Sequence, residues 1–269
     1  MLSSKIGFIG CGNIASAIIS GAISSGYIKP EDLRLFDTDL SKSSDLSTKY
    51  GGTAYSSAED LVTDDCDYVF LTVKPQVYDI VLELIKCDHY NCCFVAVAAG
   101  ITVGHIKSIL GEHASVIRVM PNTPLMYGEG ASAIVNTPPV SSEQFSFVKG
   151  LFECCGTVIE TPEKDINTVT AISGSAPAYV MRFIKDFTAF AIRNGMSDEA
   201  AATLATQAVF GTAKMLKESE TDIDTLIKNV TSPNGTTEAG LKMMDELGFD
   251  GVVEGFLDAT LKRAEELTK

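Results

Sequence analysis

A chain of 269 residues, 45% hydrophobic and 21% charged, has the material for two domains with a sizeable core and the mix of a soluble globular protein. Its net charge of −14 argues against nucleic acid or an anionic membrane as a main partner, so an anionic ligand must be drawn in by local groups. The longest apolar run, residues 92–103, falls short of the ~18 residues a membrane span needs. The first residues lack a signal-peptide pattern, and seven cysteines without a CxxC point to reduced thiols, so the expected compartment is the cytoplasm.

Short apolar runs predict strands over 6–9, 33–36, 68–73, 93–98, 116–120, 132–135 and 157–159. Between them, apolar residues three and four apart predict helices over 14–23, 77–85, 103–110 and 143–152. Strands that are apolar almost throughout are buried on both faces, which predicts a mostly parallel, doubly wound α/β sheet. After Thr161-Pro162 no strand-like run follows, and helical patterns cover 177–192, 198–216, 223–230 and 237–247, with a tail from 252. The expected organisation is therefore a dinucleotide-binding domain over 1–161 and an all-α domain over 162–269. Helices 177–192 and 199–216 are apolar over most of their circumference, which predicts burial against a second copy of the chain or against the N-terminal domain.

The segment Gly10-Cys11-Gly12-Asn13-Ile14-Ala15 fits G-x-G-x-x-G/A, follows a predicted strand and opens a predicted helix. Gly10 permits the tight turn, Gly12 has no side chain to hold a diphosphate off the backbone, and Ala15 lets helix and strand pack closely. The helix start then offers free N–H groups and a positive dipole end to the phosphates. Asp37, at the end of the second predicted strand, lies at the distance expected for the acid that grips an adenosine ribose. A carboxylate there repels a 2′-phosphate, which favours NADH over NADPH; capping of the following turn is the alternative, and Lys42 is a possible partner for a 2′-phosphate.

Three more strand ends carry suggestive loops. Val73, Lys74 and Pro75 place a cation and a stiff turn after the third apolar run, though a lone lysine is as often plain surface. Ala98, Ala99 and Gly100 are small enough to let a nicotinamide lie close. Asn122, between Pro121 and Pro124, offers an amide to the nicotinamide or the substrate, or simply belongs to a rigid loop. In the helical half, Ser232-Pro233-Asn234-Gly235 makes a turn before a helix starting at Thr236 or Thr237. A helix start suits a carboxylate, and a threonine N-cap is the competing or coexisting reading. The cluster Cys87 to Cys93 matches no common zinc spacing, and Cys92 and Cys93 open an apolar run, so no metal is expected.

Over nearly its whole length the chain resembles pyrroline-5-carboxylate reductase. The resemblance rests on GFIGCGNIASAI, VKPQ, AAGI, RVMPNTP, AISGSAPAY, AKMLKES and VTSPNGTTEAGL, the last corresponding to the family signature. It implies a Rossmann domain followed by a helical domain that interlocks into a homodimer or larger assembly. It also implies reduction of a cyclic imine to L-proline with NAD(P)H, the last step of proline biosynthesis. Thr237 matches the threonine that hydrogen-bonds the substrate's ring nitrogen, and Ser232, Gly235 and Thr236 match the turn that holds its carboxylate. Lys74, Pro75, Ala98 and Asn122 match positions lining the cofactor. Two departures stand out: Asp37 replaces a common Ser or Thr, which puts the usual NADPH preference in question, and Asn234 replaces a common Gly.

A protonated cyclic imine accepts hydride readily, so such an enzyme needs little acid–base machinery, in keeping with only three histidines, none in a candidate site. Two alternatives remain. A 3-hydroxyacid dehydrogenase of similar architecture needs a base, a lysine early in the first helix of its second domain, and SGSAPAYVM has none. A regulator that senses NAD(P) without turnover would leave the 232–237 turn redundant.

Overall fold

The computed structural model describes residues 4–63 and 66–269. The chain divides into two compact units, one containing residues up to Ser175 together with Thr260–Lys269, the other Ala176–Ala259.

The first unit is built on eight strands: β1 (Ile6–Ile9), β2 (Leu33–Phe36), β3 (Thr53–Ala54), β4 (Tyr68–Leu71), β5 (Cys93–Ala96), β6 (Ser115–Met120), β7 (Gly130–Val135) and β8 (Gly156–Glu160). Their spatial order is β3-β2-β1-β4-β5-β6-β7-β8, and every pairing is parallel except the antiparallel β6–β7. The order reverses at β1, which pairs with β2 on one side and β4 on the other, Ile6 standing opposite both Leu33 and Tyr68. In an open sheet of this kind ligands bind beyond the carboxyl ends of the strands at such a reversal.

Strands β1, β4 and β5 are buried at every position, as their unbroken apolar sequences require. Alternate residues feed two separate cores. Phe8, Phe70 and Val95 point into one, with the Phe8 and Phe70 rings stacked 4.7 Å apart, and Ile9, Leu71 and Ala96 point into the other. Helices α1 (Asn13–Ser24) and α6 (Ser142–Glu153) bury apolar residues in the first core, and α4 (Tyr78–Leu84) and α5 (Val103–Leu110) do so in the second.

The expected strands are present, β1 and β2 over the expected residues and the others with shifted ends. The third and fourth apolar runs stop at Leu71 and Ala96 because the chain then turns out of the sheet into the loops described below. Elements with no counterpart in the sequence reading include α2 (Leu40–Tyr50), α3 (Ala58–Thr63) and the two-residue β3. In α2 only Ser43 and Leu46 are buried, so no apolar stripe announces it. It is held by its ends instead, with Asp39 accepting the Ser41 N–H at 3.2 Å and Gly51 at φ +89° stopping the helix.

The second unit is all helix: α8 (Ala176–Arg193), α9 (Asp198–Glu218), α10 (Ile223–Asn229), α11 (Thr236–Glu246) and the first part of α12 (Phe249–Glu266). A short α7 (Ile166–Val169) and a π-helical turn, Thr170–Gly174, precede it in the first unit. α8 and α9 pack together, yet no residue of α8 is buried, and Phe187 and Phe190 are 48% and 63% exposed. An apolar groove of about 780 Å³ is lined by Val180, Phe183 and Phe187 of α8, Val209 and Leu216 of α9, and Phe256 of α12. The single chain thus leaves uncovered the helices whose composition predicts burial.

Candidate functional site

In the first unit the glycine turn follows β1. Gly10 has φ +98°, and a Cβ there would meet the Thr72 carbonyl at 2.9 Å, so backbone sterics alone require glycine. The turn is tied to the strands on both sides. Gly10 N–H donates to the Phe36 carbonyl at 2.8 Å, and the Thr72 hydroxyl donates to the Gly10 carbonyl at 2.6 Å. Gly12 differs: a Cβ added there would meet nothing within 4 Å. It is the N-cap of α1 and has no side chain to cap it, so the N–H groups of Asn13, Ile14 and Ala15 open the helix without an intrahelical acceptor. Open space over bare helix-start amides fits a dinucleotide diphosphate.

Asp37 directly follows β2 and is half-buried. Its Oδ2 accepts the Cys11 N–H at 2.8 Å and its Oδ1 accepts the Asp39 N–H at 2.9 Å. Capping of α2 falls to Asp39, whose carboxylate also lies 3.7 Å from Lys42. Cys11, between the two glycines, is packed inward, and burial, with Asp37 nearby, pushes its thiol up to about 12.

Beyond β4, Val73 and Pro75 are half-buried, and Lys74 is exposed with no ion pair among the described residues. Beyond β5, Ala98 is buried, Ala99 half-buried, and Gly100 adopts φ +77°. The end of β4 and the start of the loop after β5 meet at Tyr78, a residue the sequence reading did not single out. Its ring is fully buried, and its hydroxyl donates to the Leu71 carbonyl at 2.6 Å. Burial drives its pKa upward, opposed in part by the backbone N–H groups of Val97 and Ala98. Nothing in a lone tyrosine at a helix start signals this.

Asn122 follows β6. Its Oδ1 accepts the Ala131 N–H at 2.9 Å, and its Nδ2 lies 3.3 Å from both the carbonyl and the hydroxyl of Ser173 in the π turn. The amide thus joins three segments of the first unit. Arg118 on β6 was likewise not anticipated: it is 2% exposed and its Nη1 donates to Glu163 at 2.9 Å, while the same carboxylate oxygen accepts the Val103 N–H at 2.8 Å.

In the second unit, the turn before α11 holds Asn234 at φ +57°, a left-handed value asparagine tolerates where glycine would be easiest. Its N–H donates to Glu238 Oε2 at 2.6 Å, and Gly235 N–H donates to the Ser232 carbonyl at 2.9 Å. A Cβ on Gly235 would strike the Ser232 hydroxyl oxygen. The N-cap is Gly235, without a side-chain bond, so the threonine cap weighed from the sequence is not formed. The hydroxyls of Ser232, Thr236 and Thr237 have no hydrogen-bond partner among the described residues, and all three residues are exposed. This is a second uncapped helix start, furnished with hydroxyl donors, and it suits a small carboxylate.

Residues 163–267 match the family model for pyrroline-5-carboxylate reductase dimerisation, and residues 5–100 match that of the coenzyme F420-dependent NADP oxidoreductases. The chain is 34% identical to the pyrroline-5-carboxylate reductase of Escherichia coli K12 over 269 residues, covering 100% of both proteins. Among solved structures, the Plasmodium falciparum pyrroline carboxylate reductase with NADP bound superposes with a TM-score of 0.90 at 30% identity, over 100% of both chains. The Coxiella burnetii pyrroline-5-carboxylate reductase gives 0.92 at 31% identity, over 99% of both.

Proposed function

Because the chain belongs to the pyrroline-5-carboxylate reductase family, we infer that it reduces the cyclic imine 1-pyrroline-5-carboxylate to L-proline with NAD(P)H, the closing step of proline biosynthesis. The observation that carries this reading is the full-length match to reductases of that name, in a chain with two uncapped helix starts, one at Gly12 and one at Gly235. A turnover assay with pyrroline-5-carboxylate, run with NADH and with NADPH, tests it; binding of either nucleotide without proline formation would mark a sensor instead.

NAD(P)H, when bound, supplies the hydride. Gly10, Gly12, Asn13, Ile14 and Ala15 hold its diphosphate through backbone amides, in space that Gly12 leaves open. Asp37 takes the adenosine ribose; Val73, Lys74, Pro75, Ala98, Ala99, Gly100 and Asn122 form the walls further along. Ser232, Gly235 and Thr236 take the substrate carboxylate. Thr237 holds the ring nitrogen, with its free hydroxyl steadying the proton that makes the imine electrophilic. No strong acid or base is needed, because the imine nitrogen is itself basic; the protein contributes orientation and charge placement.

We propose a preference for NADH. Asp37 lies at the end of β2 beside the glycine turn, and a 2′-phosphate within ~4 Å of its side chain would cost on the order of 1 kcal/mol in water and several kcal/mol near a protein surface. We also propose that the chain works as a homodimer or larger homo-oligomer through α8, α9 and α12, as the match to a dimerisation domain and the uncovered Phe187 and Phe190 suggest. Functionally we divide the chain into a cofactor domain, 1–161, and a dimerisation and substrate domain, 162–269. No helix among the described residues is long and apolar enough to cross a membrane, and all the cysteines are free; we place the enzyme in the cytoplasm.

A further inference from the structure

Residues 267–269 lie along the loop that follows β5, and the contact is made mainly by backbone. Lys269 N–H donates to the Gly100 carbonyl at 2.8 Å, and the Thr102 hydroxyl donates back to the Lys269 carbonyl at 2.7 Å. The Leu267 carbonyl comes so near that a Cβ on Gly100 would sit 2.5 Å from its oxygen. Two side chains hold the register: Lys269 Nζ pairs with Asp79 Oδ2 at 2.8 Å, and the Thr268 hydroxyl lies 3.3 Å from Asn167 Oδ1. Asp79 also accepts from His105 Nε2 at 2.7 Å, tying the start of α4 to α5 at the same place.

We propose that residues 267–269 are a positioning strap: they fix the backbone of loop 98–102 in the shape against which the nicotinamide lies. The proposal rests on the reading of Ala98, Ala99 and Gly100 as cofactor contacts. The loop consists of Ala98, Ala99, Gly100, Ile101 and Thr102, and only Thr102 carries a polar side chain. The loop's own side chains therefore cannot hold Ala98 through Gly100, and Gly100 at φ +77° is the residue with the widest conformational choice. Support has to come from outside. It comes from the Tyr78 hydroxyl at Ala98, from the strap at Gly100 and Thr102, and from Glu163, which accepts the next amide, Val103 N–H, at 2.8 Å. A loop ordered during folding does not have to be ordered again when the cofactor binds. The exposed Lys269–Asp79 pair is too solvated to do this alone; the two backbone-carbonyl bonds are the working part.

Two substitutions separate the strap from its surroundings. Thr102→Asp keeps an acceptor for the His105 N–H, which Thr102 caps at 3.0 Å, but cannot donate to the Lys269 carbonyl. Lys269→Pro removes the donor to Gly100. Calorimetric titration with NADH and with NADPH should show Kd raised about fivefold or more in both variants, with KM for pyrroline-5-carboxylate unchanged and Thr102→Ser restoring the wild-type Kd. In the cofactor-free protein, the Val103 amide should exchange hydrogen about tenfold faster. Should Lys269→Pro fail to fold, Thr102→Asp alone decides. Wild-type Kd and wild-type exchange in the strap variants overturn the proposal. Ala99→Leu distinguishes the two levels: if it weakens cofactor binding while the strap variants do not, the strap is rejected and the cofactor site stands. If Ala99→Leu leaves Kd unchanged, the loop is not a cofactor contact and the positioning role falls with it.

Discussion

The Asp37 carboxylate accepts the Cys11 N–H at 2.8 Å, so the end of β2 and the glycine turn form one hydrogen-bonded unit. A residue proposed to choose between cofactors therefore also shapes the turn that would hold their diphosphate. Asp37→Asn keeps an acceptor for Cys11 and removes the charge; Asp37→Ser removes the charge and shortens the reach. In both, the ratio of kcat/KM for NADH to that for NADPH should fall about tenfold or more, equivalent to ~1.4 kcal/mol. In the serine variant alone KM should also rise for both cofactors. An unchanged ratio in both variants would remove Asp37 from cofactor choice.

Thr237 stands in the first turn of α11, exposed and without a hydrogen-bond partner among the described residues. Thr237→Ala should lower kcat/KM for pyrroline-5-carboxylate by roughly tenfold or more, the scale of one oriented hydrogen bond, with an unaltered melting temperature. Thr237→Ser should retain most of the activity. Wild-type kinetics in the alanine variant would take Thr237 out of the mechanism.

Tyr78→Phe removes a buried hydroxyl and leaves the Leu71 carbonyl without its 2.6 Å donor. The expected loss is about 1–3 kcal/mol of unfolding free energy, measured by urea denaturation, because a buried acceptor is stranded with no change in shape. A loss under half that range would mean that water reaches the gap.

The cysteines should divide sharply in a native thiol-labelling time course at pH 8 followed by mass spectrometry. Cys87 is exposed and should react first. Burial pushes the thiols of Cys11 and Cys93 up to about 12 and that of Cys155 to about 11, and raises Cys92 as well, so these stay protonated and shielded. Labelling of Cys11 as fast as Cys87 would contradict the inward packing of the glycine turn.

Phe187→Asp on α8 should convert the assembly to monomers in sedimentation velocity. Burying a phenylalanine is worth about 1.5–3 kcal/mol, and a two-fold interface counts each substitution twice. An unchanged sedimentation coefficient would place the interface elsewhere.

Local pattern determined much of this protein. Uninterrupted apolar tetrads such as Ile6–Ile9 and Tyr68–Leu71 can only be doubly buried strands, and Gly10 and Gly12 announce a turn between strand and helix. Those signals survive in a single sequence because each depends on near neighbours. The polar α2 escaped notice because its stability lies in its caps rather than in a stripe. Tyr78, Arg118 and Glu163 escaped because a side chain's type does not say which carbonyl or carboxylate will face it. Tertiary structure alone decided that Asp37 would hold Cys11 and that Lys269 would meet Thr102, 167 residues away. Such bonds form only after the sheet has set the register of distant segments, and hydrogen-bond geometry accepts an error of a few tenths of an ångström where hydrophobic patterning tolerates several ångströms.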